Sequence, residues 1–99
     1  MNSTGNNSGD LVQDAELGLQ FPCRYEVKAM GLQNPRFEAL VQSIVSNHIG
    51  RDEMLATTSR ASKNGKYISI TCIIRVQSRP QLEMIYTALR ECSEVMMTL

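Results

Sequence analysis

Tryptophan is absent from this chain of 99 residues, and its aromatic residues are three Tyr and two Phe. A folded core must therefore be aliphatic, and few rings are available to stack on nucleic acid bases. The chain also lacks any run of about 18 apolar residues, which excludes a membrane-spanning helix. No basic start followed by an apolar stretch marks a secretory signal, so we expect a cytoplasmic protein with no membrane partner.

Neither positive nor negative charge is in excess, because the 10 Lys and Arg residues balance the 10 Asp and Glu residues. The charges are unevenly placed, however. Residues 1–20 contain Asp10, Asp14 and Glu16 and no Lys or Arg. The remainder has 10 basic and 7 acidic residues, a net charge of +3 with His48 neutral. This excess is too small to indicate a nucleic acid partner, which favours a strongly basic surface.

Residues that bind metals or carry out nucleophilic catalysis are few. Cys23, Cys72 and Cys92 are far apart, so no CxxC motif and no disulfide framework is indicated. We interpret them as free, buried thiols in a reducing compartment. His48 is the single histidine, and we expect it to interact with a helix dipole rather than to act as a general base. The sequence thus predicts no metal, no cofactor and no catalytic residue.

The polar N-terminal part differs in composition from the rest. Met1–Gly18 is rich in Asn, Ser and Gly, and we expect it to be a disordered leader, with at most a loose turn from Leu11 to Gln20. Residues 19–99 have the length of one small domain.

The first half of this domain reads as a strand followed by a helix. Apolar and polar residues alternate from Cys23 to Met30, and Gly31 is expected to end the strand in a tight turn. Asn34 as N-cap and Pro35 at the first helical position predict the start of the helix. Gly50 is placed to end it in a left-handed conformation. Its apolar face comprises Phe37, Leu40, Val41, Ile44, Val45 and His48.

The second half begins with two strands joined by a turn. Residues 54–62 predict a weak edge strand, because neither face is strongly apolar. Asn64-Gly65 predicts a tight two-residue hairpin turn. Residues 67–76 predict the strongest strand, with one unbroken apolar face.

A helix and a short strand close the domain. Ser78 and Gln81 match a capping box, in which the first is the N-cap and the second reaches back. Val95, Met97 and Leu99 alternate in the last strand. The order strand, helix, strand, strand, helix, strand predicts an α+β, ferredoxin-like βαββαβ sandwich. We expect an antiparallel sheet of order 4-1-3-2 with both helices on one face.

Several segments resemble the YbeD-like family of small bacterial proteins of unknown function. They are Leu19-Gln20-Phe21-Pro22, residues 25–31, Asn47-His48, residues 62–67 and residues 94–99. The resemblance covers residues 19–99 and implies a ferredoxin-like fold similar to the ACT-type regulatory domains of biosynthetic enzymes. It implies no catalytic residues.

The resemblance and the predicted fold suggest two alternative sites in the loop between the first strand and the first helix, one for a small metabolite and one for a phosphate. ACT-type domains bind small ligands there, so Gly31, Leu32, Gln33 and Asn34 form a candidate site for an amino acid or other small metabolite. A small acylphosphatase-like hydrolase would use backbone donors and Arg36 around a phosphate. The segment has one Gly and a Pro that lacks an N–H, so this alternative fits poorly.

The open face of the predicted sheet is the third candidate. Met30, Ile73 and Met96 are expected to point away from the helices, and an apolar centre with a charged rim is typical of a contact surface. The rim comprises Arg24, Lys28, Arg75 and Glu94. We predict a non-enzymatic regulatory or protein-interaction module that contacts a partner protein or a second copy through this face. The alternatives are the metabolite sensor and, behind it, the hydrolase.

Overall fold

The computed structural model describes residues 12–14 and 18–99. The expected disorder of residues 1–11 and 15–17 lies outside the described residues. Within them the elements are β1 (Val12–Asp14), β2 (Leu19–Phe21), β3 (Cys23–Leu32), α1 (Phe37–Ser46), β4 (Met54–Ala61), β5 (Tyr67–Val76), α2 (Arg79–Glu91) and β6 (Met97–Thr98). Neither of the helices in this part of the chain is long and apolar enough to cross a membrane.

Four strands form one antiparallel sheet, in which β5 and β3 are central, β4 lies at one edge and β6 at the other. Both helices contribute to one core with the same face of this sheet. The prediction of a small α+β domain with two helices and a four-stranded antiparallel sheet is confirmed.

The core lies between that face and the helices. Every second residue of β5 is buried, and Val27 and Ala29 of β3 pair with Cys72 and Ile70 beside them. The unbroken apolar face predicted for β5 is therefore present. The buried side chains of the two helices are Phe37, Val41, Val45, Leu82, Ile85 and Leu89.

Helix α1 begins at Phe37, two residues later than predicted. Asn34 still caps the chain, but it caps the turn before the helix. Its Oδ1 accepts a hydrogen bond from the Arg36 N–H at 2.9 Å, and its carbonyl accepts one from the Phe37 N–H at 3.3 Å. The prediction therefore identified the capping residue and misplaced the first helical turn.

The predicted end of α1 is wrong. The helix ends at Ser46, and Asn47 keeps right-handed backbone angles. The described glycines with positive φ are Gly18 and Gly65, so Gly50 does not form a left-handed cap. The chain turns instead through a hydrogen bond from the His48 N–H to the Val45 carbonyl at 3.0 Å.

The N-terminus of α2 is capped by Ser78, as predicted, and its Oγ accepts from the Gln81 N–H at 3.3 Å. The side chain of Gln81 reaches back one residue further than a capping box requires, to the Gln77 N–H at 2.6 Å. Its amide also donates to the His48 carbonyl at 2.9 Å. One side chain thus ties the start of α2 to the end of α1.

The β4–β5 connection lies where Asn64-Gly65 predicted it, but it is longer than two residues. The Ser62 N–H donates to the Tyr67 carbonyl at 2.8 Å, which leaves residues 63–66 as the loop. Gly65 has a φ of 77°, a left-handed angle that glycine adopts without steric cost. The Oδ1 of Asn64 accepts from the Lys66 N–H at 3.2 Å and fixes the loop from within.

The segment before the main sheet forms a small hairpin rather than the expected loose turn. Strand β1 pairs antiparallel with β2, and Val12 lies opposite Phe21. Gly18, with a φ of 68°, precedes β2. Phe21 is buried in the core, so the domain is anchored from this residue onward.

Candidate functional site

Gly31 does not lie in a turn, and that prediction is wrong. It lies inside β3 opposite Ile68 and is buried. A Cβ on this residue would come within 2.5 Å of the Glu94 carbonyl oxygen and 2.7 Å of the Phe37 ring. Glycine is therefore required here by close packing of α1 and the segment before β6, not by backbone angles.

The candidate ligand loop lies beside the hairpin loop. Leu32 ends β3 and is half-exposed, and the Gln33 N–H donates to the Lys66 carbonyl at 2.9 Å. Asn34 accepts from two following N–H groups and donates its amide to the Leu32 carbonyl at 3.2 Å. These hydrogen-bonding groups are already used within the protein. Binding of a small metabolite here stays a prediction.

Strand register identifies the residues that share the open face with Met30. Met30 lies opposite Ser69 on one side and Met97 on the other. Two backbone hydrogen bonds, of 2.9 and 3.2 Å, place Leu99 opposite Lys28. Because directly opposed residues point to the same face, Met97 and Leu99 flank Met30. Met96, which the prediction placed on this face, lies just before β6; its N–H donates to the Met30 carbonyl at 2.8 Å and its side chain is 57% exposed. That its side chain shares the open face stays a prediction.

Ile73 is on the open face, as predicted, but it is not contiguous with Met30. It lies opposite Glu26, and the Lys28–Thr71 pair separates the two. Arg75 lies one row further, opposite Arg24. The predicted single apolar centre is therefore interrupted by polar and charged side chains.

A contiguous apolar cluster lies instead at the end of the open face nearest the hairpin loop. We call it the apolar cluster; it comprises Met30, Leu32, Tyr67, Met97 and Leu99. Leu32 lies opposite Tyr67, and Leu32, Met97 and Leu99 are 53%, 51% and 71% exposed. The Lys66 Nζ lies 5.4 Å from the centre of the Tyr67 ring, within cation–π range. Large apolar side chains are thus left in solvent at one end of the sheet.

A depression of about 470 Å³ adjoins this cluster. It is lined by Met30, Arg60, Ala61, Ser62, Lys63, Tyr67 and Ser69. Two cationic side chains, three hydroxyl groups and a thioether line it, and none of these residues is acidic. Such a lining favours an anionic group with an apolar attachment.

Positive charge is concentrated on the open face and the hairpin. The basic residues on the open face and hairpin are Arg24, Lys28, Arg60, Lys63, Lys66 and Arg75. Among the described residues that share this face, Glu26 is the acidic one, and it lies 3.8 Å from Arg24. The other described acidic residues belong to the helices and their loops: Glu38, Asp52, Glu53, Glu83, Glu91 and Glu94. Alternation predicted Arg24, Lys28 and Arg75 on this face, but the prediction did not include Arg60 of β4 or the two lysines of the hairpin.

Burial disfavours the reactive thiolate form at two of the cysteines, Cys23 and Cys72. Burial raises the pKa of Cys72 to about 11, and it also raises the pKa of Cys23. A thiol of such high pKa stays protonated at neutral pH and is a poor nucleophile. Among residues 18–99, no group of three or more His, Cys, Asp or Glu is placed to hold a metal ion.

Comparison with known proteins identifies relatives over most of the chain. The family described as "Protein of unknown function (DUF493)" matches residues 16–99. The UPF0250 protein NE1487 of Nitrosomonas europaea is 36% identical over 81 residues, which are 82% of this chain and 93% of that protein. A UPF0250 protein of Hahella chejuensis is 32% identical over the same length, 82% of this chain and 89% of the relative.

The fold has a counterpart among solved structures. The solution structure of protein HP0495 from H. pylori matches with a TM-score of 0.60 at 15% identity. The match covers 80% of this chain and 82% of the other. At this identity the likeness concerns the fold alone. The resemblance to YbeD-like bacterial proteins of unknown function is confirmed.

Proposed function

The chain belongs to the DUF493 family of proteins of unknown function, and we propose that it is a non-enzymatic protein-interaction module that binds a partner protein through the open face of its sheet. The apolar cluster carries this proposal. It places three large side chains, each more than half exposed, on one contiguous surface with Met30 and Tyr67. Exposed apolar patches rimmed by polar groups are typical of protein-binding surfaces.

The composition of the cluster supports binding rather than incidental exposure. Two of its members are Met residues, whose flexible and polarizable side chains adapt to an irregular partner surface. Tyr67 supplies a rigid ring with a hydroxyl group, a residue type enriched at binding hot spots. Each Å² of apolar area removed from water contributes about 25 cal/mol, so several half-exposed side chains offer a useful driving force.

The basic rim supports specificity. Lys28 and Arg60 on the strands and Lys63 and Lys66 on the hairpin surround the cluster, and charges at an interface rim mainly steer association and reject mismatched partners. We infer a ferredoxin-like domain that acts in the cytoplasm, in a role that is regulatory rather than chemical. The arrangement of two helices over one face of the sheet supports a binding role, because it leaves the other face free for a partner.

A pair of methionines provides the test. Met97 in the apolar cluster is 51% exposed, and Met84 on α2 is 57% exposed. Each is replaced by Asp in a tagged full-length chain, and proteins captured from the native host are quantified by mass spectrometry. We expect Met97→Asp to remove, by about tenfold or more, partners that wild type and Met84→Asp both retain. Both variants should keep the wild-type melting temperature within about 3 °C, because neither side chain is in the core.

Equal capture by wild type and both variants would contradict the proposal. Loss with Met84→Asp alone would move the binding surface to α2.

A further inference from the structure

The outer edge of β4 is open in the described part of the chain. Strand β4 is the last strand of the sheet and pairs on one side, with β5. The Ser62 N–H bonds to the Tyr67 carbonyl across that pair. Because hydrogen-bonded and non-hydrogen-bonded positions alternate along an antiparallel pair, the backbone N–H and C=O of Thr57, Ser59 and Ala61 face outward.

The edge has few of the features that prevent further strand pairing. The opposite edge is β6, which is only two residues long, whereas β4 has eight residues without proline. Its one charged side chain is Arg60, and its irregularity lies at the far end, between Met54 and Ala56. Long, regular edges are templates for another strand, and proteins usually shorten, bend or charge them.

The chemistry beside this edge indicates which strand it accepts. Arg60 forms its hydrogen-bonded pair with Ser69, so a residue added opposite Arg60 would occupy the closer, non-hydrogen-bonded type of position. Side chains so opposed lie about 4.5–5.5 Å apart at their Cβ atoms. Lys63 follows in the loop, and both cations line the depression of about 470 Å³ next to the edge. From residue 54 to residue 82 the chain contains no acidic residue that would compete.

We propose that β4 accepts an extended, acidic segment of the partner protein as an added strand, with Asp or Glu side chains against Arg60 and Lys63. Backbone hydrogen bonds to Thr57, Ser59 and Ala61 supply affinity, and the two cations supply the preference for acidic sequence. The inference rests on the proposed function and names the chemistry of the partner. Apolar side chains of the added segment that point to the open face would extend toward Met30 and Tyr67.

The test uses a random dodecapeptide library selected on the full-length wild-type chain, with the selected peptides measured by fluorescence anisotropy. We expect Asp and Glu to be enriched beside aliphatic residues. Ser59→Pro removes one outward N–H and projects a ring from the edge, so it should weaken binding about tenfold, while Ser59→Ala should not. Arg60→Glu with Lys63→Glu should weaken binding at least as much. Hydrogen exchange on the wild type should slow at Thr57, Ser59 and Ala61 when peptide is bound, which tests the edge without any substitution.

The outcomes separate the two proposals. Peptide binding could be lost with Met97→Asp but unaffected by Ser59→Pro, with hydrogen exchange along β4 unchanged. That result would leave the open face as the binding surface and overturn the added strand. Peptides without acidic enrichment would overturn the acidic segment, as would a library that yields no peptide sensitive to Ser59→Pro. A dimer of the chain alone that Ser59→Pro dissociates in sedimentation would assign the edge to a second copy instead. Binding of random 12-nucleotide RNA that depends on Arg60 and Lys63 and not on Ser59 would assign the cations to nucleic acid.

Discussion

The two faces of strand β5 differ sharply in burial and in polarity. One face presents Ile68, Ile70, Cys72, Ile74 and Val76, all buried against the helices. The other presents Tyr67, Ser69, Thr71, Ile73 and Arg75, all partly or fully accessible. The same ten residues thus hold the fold on one side and display a mixed apolar and basic surface on the other. The side chains that hold the fold are therefore distinct from those proposed to bind a partner, so stability and the proposed binding can be changed separately.

The largest contrast is expected from two isoleucines of β5. Ile70→Ala creates a cavity in a fully buried position and should lower the free energy of unfolding by about 2–5 kcal/mol. Ile73→Ala on the open face should cost about 1 kcal/mol or less, because its side chain is already partly in solvent. Urea denaturation followed by circular dichroism measures both. Similar losses in the free energy of unfolding for the two variants would contradict the assignment of stability to the helix-facing side of β5.

A second contrast concerns glycines at the margin of the core. Gly31→Ala places a Cβ against the Glu94 carbonyl and the Phe37 ring, and it should cost about 1–3 kcal/mol through overpacking. Gly50→Ala meets only the flexible Glu53 side chain, at 3.1 Å, and should change stability by less than about 0.5 kcal/mol. Thermal melts of the two variants are the check. A neutral Gly31→Ala would remove the close-packing explanation for that residue.

A buried thiol on the helix-facing side of β5, that of Cys72, should make the free energy of unfolding depend on pH in the alkaline range. Burial holds the pKa of Cys72 at about 11, above the ordinary value of 9.0. The folded state therefore binds more protons than the unfolded state between these values, so its stability is complete below pH 9 and declines through pH 11. The loss should approach about 3 kcal/mol, because each of the two pKa units is worth about 1.4 kcal/mol. Burial also raises the pKa of Tyr86, which adds a loss in the same direction at higher pH.

Cys72→Val tests this dependence, because it keeps the position apolar and removes the thiol. Denaturation at pH 8 and pH 10.5 should show a smaller alkaline loss for the variant than for wild type. An identical loss in both would show that another group titrates.

The parts of the fold that local sequence determines were predictable. The alternation of β5 reports burial on one face, and Ser78 before Pro80 and Gln81 marks the start of α2 through a local hydrogen bond. Two failures were local, because Asn34 caps the turn before α1 and Asn64 fixes a hairpin loop longer than two residues. The segment after α1 also accepts a hydrogen bond at the His48 carbonyl from Gln81, 33 residues away, a contact that a glycine-based rule does not see.

The candidate site was predictable in outline only. Alternation placed Met30 and Ile73 on the open face, but the pairing of Met97 with Met30 needed the register of β6, which two residues of strand leave unspecified in the sequence. The role of Gly31 depends on Phe37 and Glu94 approaching from two other segments. The basic character of the open face likewise arises because β3, β4 and β5 bring Arg24, Arg60 and Arg75 to one side.

Site-specific photo-crosslinking tests the central claim most directly. A benzophenone amino acid is placed at Met97 or at Met84, two positions of similar exposure on opposite sides of the domain, and cells are irradiated. The open-face account predicts a defined protein adduct from position 97 and none of the same mass from position 84. Adducts from position 84 alone, or the same adducts from both positions, would contradict it.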